Sequence, residues 1–330
     1  GSWRIAADEN TAVSVLEGLE NYKGNQLNYA KGADVSVGRT QFIWETKINT
    51  TDKSGFAEAI ATAKQADIVV MVLGEHGLQS GEGRSRSDIG LPGVQQELLE
   101  AIFKVNPNVV LVLNNGRPLS IPWADEHIPA IVEAWQLGTQ SGNAIAQVLY
   151  GDYNPSGKLP MTFPRNIGQV PIYYNHKNTG RPVMNEPESV FWSHYIDEDN
   201  SPLYPFGYGL SYTEFAYSQL KIKQNTYSLP SGNDTIELSF LIQNTGQFDG
   251  AEAIQFYVKP IYSTETLPVQ YLIDTKKVAL KKGETMGFIS YKIPLSKLGI
   301  PTGPGSDAYP TQFQIQIGSS SKDIRLQSHI

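Results

Sequence analysis

The chain has 330 residues, of which 40% are hydrophobic and 18% charged, as in a globular protein of two domains. Its net charge of −7 argues against nucleic acid as a partner, and its lack of cysteine excludes disulfides, thiolate catalysis and cysteine-ligated zinc. No apolar run reaches the ~18 residues of a membrane span, and the scattered histidines show no metal-binding spacing, so we expect neither a membrane span nor a metal.

Strand-like and helix-like segments alternate in the first half of the chain. Continuous apolar runs, which are typical of strands buried on both faces, occupy Asp67–Leu73, Asn108–Leu113 and Ala130–Trp135. Segments with helical spacing or helix-favouring composition occupy Ala12–Tyr22, Phe56–Gln65, Val94–Val105 and Ser141–Tyr150. This alternation predicts an α/β sandwich, a mostly parallel sheet with helices on both faces.

The pattern changes near Pro155. Residues 155–213 are rich in Pro, Gly, Tyr and Asn and show no clear period, which predicts an ordered but irregular arm. Strand signals follow at Tyr217–Lys223, Thr235–Gln243, Ala251–Lys259, Thr275–Leu280, Gly287–Ile293 and Thr311–Ile317, with a turn expected at 302–305. About seven short strands indicate an antiparallel β-sandwich. We therefore predict an α/β domain at 1–165, a connecting arm at 166–213 and a β-sandwich at 214–330.

Charged residues are concentrated in the segment that follows the first predicted strand. It spans Gly74–Asp88, GEHGLQSGEGRSRSD, and ligands of parallel α/β sheets bind beyond the carboxyl ends of strands. A carboxyl group in such a loop can act as a general acid or base. Glu75 and Glu82 both offer such a group. The residue types alone leave open a solvated loop whose charges pair with each other.

Other motifs in the chain lack the features of cofactor sites. Gly151–Leu159, GDYNPSGKL, ends in Gly-Lys like a phosphate-binding loop, but Leu159 stands where Ser or Thr must reach magnesium. The chain also lacks the dinucleotide fingerprint and the Gly-x-Ser-x-Gly nucleophile elbow after any predicted strand. We expect no cofactor.

Two long segments resemble a known family. They are Gly138–Pro164, GTQSGNAIAQVLYGDYNPSGKLPMTFP, and Tyr204–Phe215, YPFGYGLSYTEF. Both resemble the carboxy-terminal half of glycoside hydrolase family three, the β-glucosidase and β-xylosidase family, and the resemblance extends over nearly the whole chain. It implies an α/β sandwich followed by a fibronectin type III-like, immunoglobulin-type β-sandwich. The segment 175–182, NHKNTGRP, is similar to bacterial periplasmic β-glucosidases, which implies a periplasmic or secreted location in a bacterium.

The resemblance implies a role for Glu82. The family's acid/base residue often lies in a Glu-Gly-x-Asp-Arg segment, and this chain matches it at Glu82, Gly83 and Arg86. It departs at Ser85, where Asp88 is a candidate for the missing charge. Glu82 is therefore expected to be the catalytic acid/base.

Four further residues are candidates for contact with the substrate. They are His76, Ser80, Arg86 and Trp192. The resemblance implies that the nucleophile, an Asp, belongs to an amino-terminal TIM barrel that these residues do not include, so we expect no nucleophile here and no turnover by the chain alone. The expected partners are that barrel and a β-linked oligosaccharide or glucoside.

Several functions remain compatible with the residues. The main interpretation is a fragment of a retaining, exo-acting β-glucosidase that hydrolyses terminal non-reducing β-D-glucosyl residues. A β-xylosidase of the same family is an alternative, because the sugar pocket is set largely by the barrel. A stand-alone carbohydrate-binding or protein-interaction module and an inactive family member are the others.

Overall fold

The computed structural model describes residues 8, 10–182, 190–223, 235–303 and 306–330. Most of the first nine residues, where the resemblance begins, lie outside this set, as do Pro304 and Gly305 of the turn expected at 302–305. Contacts divide the chain into two compact units, the first comprising Gly1–Tyr153 with Pro164–Val170 and the second Asn154–Phe163 with Pro171–Ile330.

The first unit is an α/β unit. Its strands are β1 (Val69–Gly74), β2 (Val109–Asn114) and β3 (Ala130–Glu133). Its helices are α1 (Val15–Glu20), α2 (Phe56–Ala63), α3 (Gln95–Val105), α4 (Pro122–His127) and α5 (Ser141–Leu149). The strands pair in parallel in the order β1-β2-β3, which confirms the predicted parallel sheet.

The middle strand, β2, is the most deeply buried part of this sheet. Leu111, Val112 and Leu113 of β2 are all buried, since this strand has a hydrogen-bonded neighbour on each side. Because the strands are parallel, their carboxyl ends meet at one edge of the sheet. The segments that follow β1, β2 and β3 therefore begin at the same edge.

The third strand is shorter than the sequence predicts. It ends at Glu133, and the Trp135 N–H donates to Glu133 Oε1 at 2.8 Å while Trp135 adopts φ 51°. The Ala134 N–H still donates to the Leu113 carbonyl at 2.9 Å, and Trp135 beyond it is half-buried rather than a core residue. Helix α4 was not predicted, because six residues beginning at Pro122 are too few for a clear helical period.

The second unit contains antiparallel sheets. Its strands are β4 (Phe215–Ile222), β5 (Thr235–Asn244), β6 (Gly250–Tyr262), β7 (Tyr271–Leu280), β8 (Thr285–Pro294), β9 (Ile300–Gly303), β10 (Ser306–Ala308), β11 (Gln312–Gly318) and β12 (Ile324–His329). One sheet has the order β12-β11-β6-β7 and another the order β4-β5-β8, and β9 and β10 form a separate two-stranded sheet. The predicted antiparallel architecture is confirmed, although β9, β10 and β12 were not predicted.

Side chains from both of these sheets form one hydrophobic core. Phe240 of β5 and Phe256 of β6 have no exposed surface, and their rings meet edge to face with centroids 6.1 Å apart. Alternating residues such as Ile236 and Ile242 on β5 are equally buried. This period-two burial is what a β-sandwich requires.

The irregular segment of the second unit is ordered by specific contacts. Phe163 forms an isolated antiparallel bridge with Tyr204, and the Gln255 side-chain amide donates to the Gly207 carbonyl at 2.9 Å. Gly207 has φ 81°, and a Cβ atom there would lie 2.0 Å from Gln255 Oε1, so only glycine fits. The YPFGYG sequence is thus explained by packing. Across the described ranges, every helix is too short or too polar to cross a bilayer.

Candidate active site

The loop at residues 75–90 begins where β1 leaves the sheet. Gly74 has φ 136°, and a Cβ atom there would lie 2.1 Å from the Asn114 carbonyl oxygen of β2. Glycine therefore permits the close approach by which the Glu75 N–H donates to the same carbonyl at 2.8 Å. The loop consequently starts from a fixed point at the carboxyl edge of the sheet.

Glu75 lies beneath this loop with its side chain 0% exposed. Its Oε1 is 2.8 Å from Arg86 Nη1, and its Oε2 accepts hydrogen bonds from Ser80 Oγ at 3.0 Å and from the Gly116 N–H at 3.1 Å. Arg117 Nε also lies 2.8 Å from Oε1, as an ion pair without hydrogen-bond alignment. We call Glu75, Ser80, Arg86 and Arg117 the Glu75 cluster.

Glu82 lies in the same loop but in a different environment. Its side chain is exposed, and none of the described residues forms a hydrogen bond or ion pair with its carboxylate. Together with Gly83 and Arg84 it lines a surface cavity of about 300 Å³, whose other wall is residues 42–45. Glu82 is thus accessible to a ligand in this cavity.

Exposed apolar side chains form that other wall. Ile43 and Trp44 are 78% and 63% exposed, and Phe42 is 45% exposed. Arg84 connects the two walls, because its guanidinium lies 5.5 Å from the centre of the Phe42 ring and donates to the Phe42 carbonyl at 2.5 Å. An aromatic side chain held beside a carboxylate offers stacking for a sugar ring or an aromatic leaving group.

Sequence reasoning missed these residues. The segment Gln41–Glu45, QFIWE, has no helical or strand period, and Trp44 was not among the aromatic residues that we considered. The available signal was three large apolar residues in succession in a segment without regular structure. Glu45, which lines the same cavity, was also missed and places a second carboxylate there.

The structure brings two of the predicted substrate-binding residues together and places two elsewhere. Ser80 and Arg86 both contact Glu75, and their direct contact with a substrate stays a prediction. His76 Nδ1 accepts from the Leu78 N–H at 3.1 Å within the first turn of the loop, and burial lowers the pKa of His76. Trp192 belongs to the second unit, where its ring stacks on His194 with centroids 4.1 Å apart.

A further carboxyl group lies at the end of β3. Glu133 Oε2 accepts from Asn115 Nδ2 at 3.2 Å, and its other oxygen accepts from the Trp135 N–H. Burial raises the pKa of Glu133 to about 7, against a usual value of 4.5. Within the described ranges, His, Asp and Glu form no group of three that could hold a metal ion.

Comparison with known proteins assigns the family. A family model described as the glycosyl hydrolase family 3 C-terminal domain matches residues 1–212. The chain is 41% identical over 98% of its length to a periplasmic β-glucosidase of Salmonella typhimurium and 40% identical over 94% to a β-xylosidase of Formosa agariphila. It spans 43% and 40% of those two proteins.

Solved structures agree with this assignment. A β-glucosidase from Listeria innocua in complex with isofagomine matches 100% of the chain with a TM-score of 0.83 and 31% identity. A β-glucosidase from Erythrobacter marinus matches 97% with a TM-score of 0.85 and 34% identity. The chain covers 43% of each of those chains. From the matching family model and these relatives together, the chain belongs to glycosyl hydrolase family 3.

Proposed function

We propose that this chain supplies the acid/base half of the active site of a retaining β-glycosidase of the β-glucosidase type. The proposed reaction is hydrolysis of terminal non-reducing β-D-glucosyl residues, with Glu82 as the acid/base. The observation that carries the proposal is the exposed Glu82 carboxylate beside the cavity formed with residues 42–45. The β-glucosidase names of several relatives support the substrate class.

The proposed mechanism divides the work between two carboxyl groups. Since the chain spans less than half of its relatives, we assign the nucleophile to a TIM barrel in the part of those relatives that it does not cover. Glu82 protonates the departing oxygen in the first step and deprotonates the attacking water in the second. A retaining enzyme needs its two carboxyl groups roughly 5 Å apart. The chain alone is therefore expected to lack turnover.

The cavity suggests where the leaving group binds. A proton donor must lie next to the glycosidic oxygen, so the group released from that oxygen also lies near Glu82. Phe42, Ile43 and Trp44 offer it an apolar surface. We propose that these three side chains contact the leaving group. As additional substrate contacts we propose His76, Ser80, Arg86 and Trp192.

The acid/base role can be tested by chemical rescue in an intact enzyme that includes this chain. Glu82→Ala should lower kcat/KM for an alkyl β-glucoside by roughly 100-fold to 10,000-fold, the usual contribution of general acid catalysis. It should affect the first step on a dinitrophenyl β-glucoside far less, because that leaving group departs without a proton. Added azide should then accelerate the second step and yield β-glucosyl azide.

Glu45→Ala is the matched control, because Glu45 lines the same cavity with a carboxylate of the same type. It should lower kcat/KM on the alkyl glucoside far less than Glu82→Ala does, and it should show no azide product. Azide rescue of Glu45→Ala, with full activity in Glu82→Ala, would transfer the acid/base role to Glu45 and overturn the assignment.

A β-xylosidase activity is the second candidate, since one relative that is 40% identical has that name. The ratio of kcat/KM values for aryl β-glucoside and aryl β-xyloside in the intact enzyme decides between the two. A preference for xyloside would replace the glucosidase assignment while leaving Glu82 in the same role.

Location and domain organisation complete the proposal. We assign the protein to the periplasm or the exterior of a bacterium, with support from the periplasmic Salmonella relative. We also propose the boundaries 1–165, 166–213 and 214–330 and a fibronectin type III-like class for the sandwich, with support from its sheets of four and three strands. Limited proteolysis followed by mass spectrometry would locate the boundaries.

A further inference from the structure

Glu75 holds the loop at two points, one before Glu82 in the sequence and one after it. Ser80, two residues before Glu82, donates its hydroxyl hydrogen to Glu75 Oε2 at 3.0 Å. Arg86, four residues after Glu82, lies 2.8 Å from Glu75 Oε1 and also donates to the Gly90 carbonyl at 3.0 Å. One buried carboxylate therefore holds both sides of the loop.

Arg117, which follows β2, holds the same loop through its backbone. Its Nη2 donates to the Gln79 carbonyl and, at 2.8 Å, to the Arg84 carbonyl, while its Nε pairs with Glu75. Gln79 and Arg84 again lie on opposite sides of Glu82. The attachment points thus leave a short segment around Glu82 between them.

The backbone at Gly116 packs closely against the loop. A Cβ atom on Gly116 would lie 2.3 Å from Ser80 Oγ and 2.5 Å from Ser80 Cβ, so the chain at Gly116 touches the loop directly. Buried ion pairs contribute little net stability, because desolvation offsets their attraction, but they fix geometry well. A misplacement of about 1 Å can cost a catalytic group about 100-fold in rate.

We propose that Glu75 and Arg117 are positioning residues, which hold the loop so that the Glu82 carboxylate meets the glycosidic oxygen. This inference rests on the proposed function of Glu82. Glu75 itself is a buried anion already contacted by two guanidinium groups, and it takes no part in proton transfer to the substrate. Its negative charge acts through the arginines and the serine that it gathers.

The leaving-group dependence of the rate tests this role in the intact enzyme. Glu75→Gln should lower kcat/KM about 100-fold for an alkyl β-glucoside and less than about 3-fold for a dinitrophenyl β-glucoside, because only the former needs a well-placed proton donor. A residue that merely stabilises the fold would lower both values equally, through the fraction of folded enzyme. Equal losses would therefore overturn the proposal.

Two further variants sharpen the measurement. Glu97→Gln removes a carboxylate that pairs with Lys53 on the surface of the same unit, and it should leave both rates unchanged. In a Glu82→Ala background, Glu75→Gln should cause no further loss on the alkyl glucoside, because the group it positions is gone. Additive losses would show that Glu75 acts by another route and would overturn the inference.

Hydrogen exchange on the chain alone separates this inference from the proposed function. Glu75→Gln should speed amide exchange by about 10-fold or more in residues 79–86, and Glu97→Gln should not. Unchanged exchange would refute the positioning role whatever Glu82 does. Faster exchange in Glu75→Gln, together with full activity of the Glu82→Ala enzyme, would instead refute the acid/base role alone. If Glu75→Gln does not fold, Arg117→Lys replaces it in these experiments. This variant keeps the positive charge but loses the planar guanidinium group, and the same results are expected of it.

Discussion

Each unit contains a buried carboxylate, and the two differ in their cationic partners. Glu75 is contacted by two guanidinium groups from loops at the sheet edge. Glu252, on β6, lies 3.5 Å from Lys158 Nζ and accepts a hydrogen bond from Tyr217 at 3.0 Å. The first arrangement holds a loop with an exposed carboxylate, whereas the second holds an irregular segment against a sandwich.

The contacts of Lys158 make the difference clear. Its Nζ also donates to the Gly209 carbonyl at 2.7 Å, so the GKLP and YGLSY sequences are joined around Glu252. Burial lowers the pKa of Lys158, and Glu252 opposes that effect. The two clusters thus differ in what they hold, since one fixes the loop that carries Glu82 and the other closes the fold of the second unit.

Glu133 supplies a third case. Its described hydrogen bonds come from neutral N–H groups, those of Asn115 and Trp135. Its pKa rises to about 7, the result expected when burial is not balanced by a nearby cation. Glu133 therefore differs from Glu75 and Glu252 in that its described partners are neutral N–H groups rather than cations.

Removal of the Glu252 carboxylate should have the largest effect on stability. Glu252→Ala leaves Lys158 buried without its anion, and we expect a loss of about 3–5 kcal/mol in the free energy of unfolding. Glu252→Gln keeps an oxygen acceptor and should cost less. Urea unfolding of the chain measures both, and a loss below about 1 kcal/mol for Glu252→Ala would contradict the structural role of this pair.

Glu133→Gln should change how stability depends on pH. Between pH 4.5 and about 7 the folded state holds a proton that the unfolded state has released, so this carboxyl group makes stability fall as pH rises through that window. Gln does not titrate, so the variant should match the parent below the window and exceed it above by up to about 3 kcal/mol. Urea unfolding at several pH values tests this, and parallel curves for variant and parent would contradict it.

Trp44→Ala should affect binding rather than folding. We expect the KM of the intact enzyme for an aryl β-glucoside to rise about 10-fold, or about 1.4 kcal/mol, because the exposed ring no longer contacts the leaving group. The melting temperature should not change. Tyr29→Ala removes another exposed aromatic side chain, 62% exposed in the same unit, and should leave KM unchanged. Equal KM values for Trp44→Ala and the parent would show that Trp44 does not contact the leaving group.

The smallest effect is expected at an exposed ion pair. Lys292 Nζ lies 2.9 Å from Glu237 Oε1, but its side chain is 65% exposed. Lys292→Ala should change the free energy of unfolding by no more than about 0.5 kcal/mol, because water screens the pair. A loss comparable to that of Glu252→Ala would show that burial does not explain the comparison.

Much of the fold followed from periodicity in the sequence. The apolar runs at β1 and β2 were predictable from their β-branched and leucine content, although only β2 is buried on both faces, since Val72 of β1 is 41% exposed. By contrast, β12 pairs with β11 alone at the edge of its sheet, and its sequence Ile324–His329 alternates only weakly, so local pattern gave little signal. The early end of β3 coincides with φ 51° at Trp135 and a side-chain hydrogen bond to its N–H, which no pattern of hydropathy encodes.

The site was predictable in part. The resemblance and the strand position of the loop led to Glu82, whose acid/base role stays a proposal, and the structure places its side chain at the surface. The cavity wall at residues 42–45 is separated from Glu82 by nearly forty residues, and only tertiary folding brings Arg84 against Phe42. Glu75 is buried and Glu82 is exposed, and this difference cannot be predicted from two glutamates in the same loop.

Because none of the described contacts of the loop involves the Glu82 carboxylate, this residue can be exchanged without disturbing the scaffold around it. In an intact enzyme that includes this chain, Glu82→Gln should therefore keep the fold of the parent and retain an uncleaved glycoside when its crystals are soaked. Such a trapped complex would reveal which atoms of the ligand face the aromatic side chains.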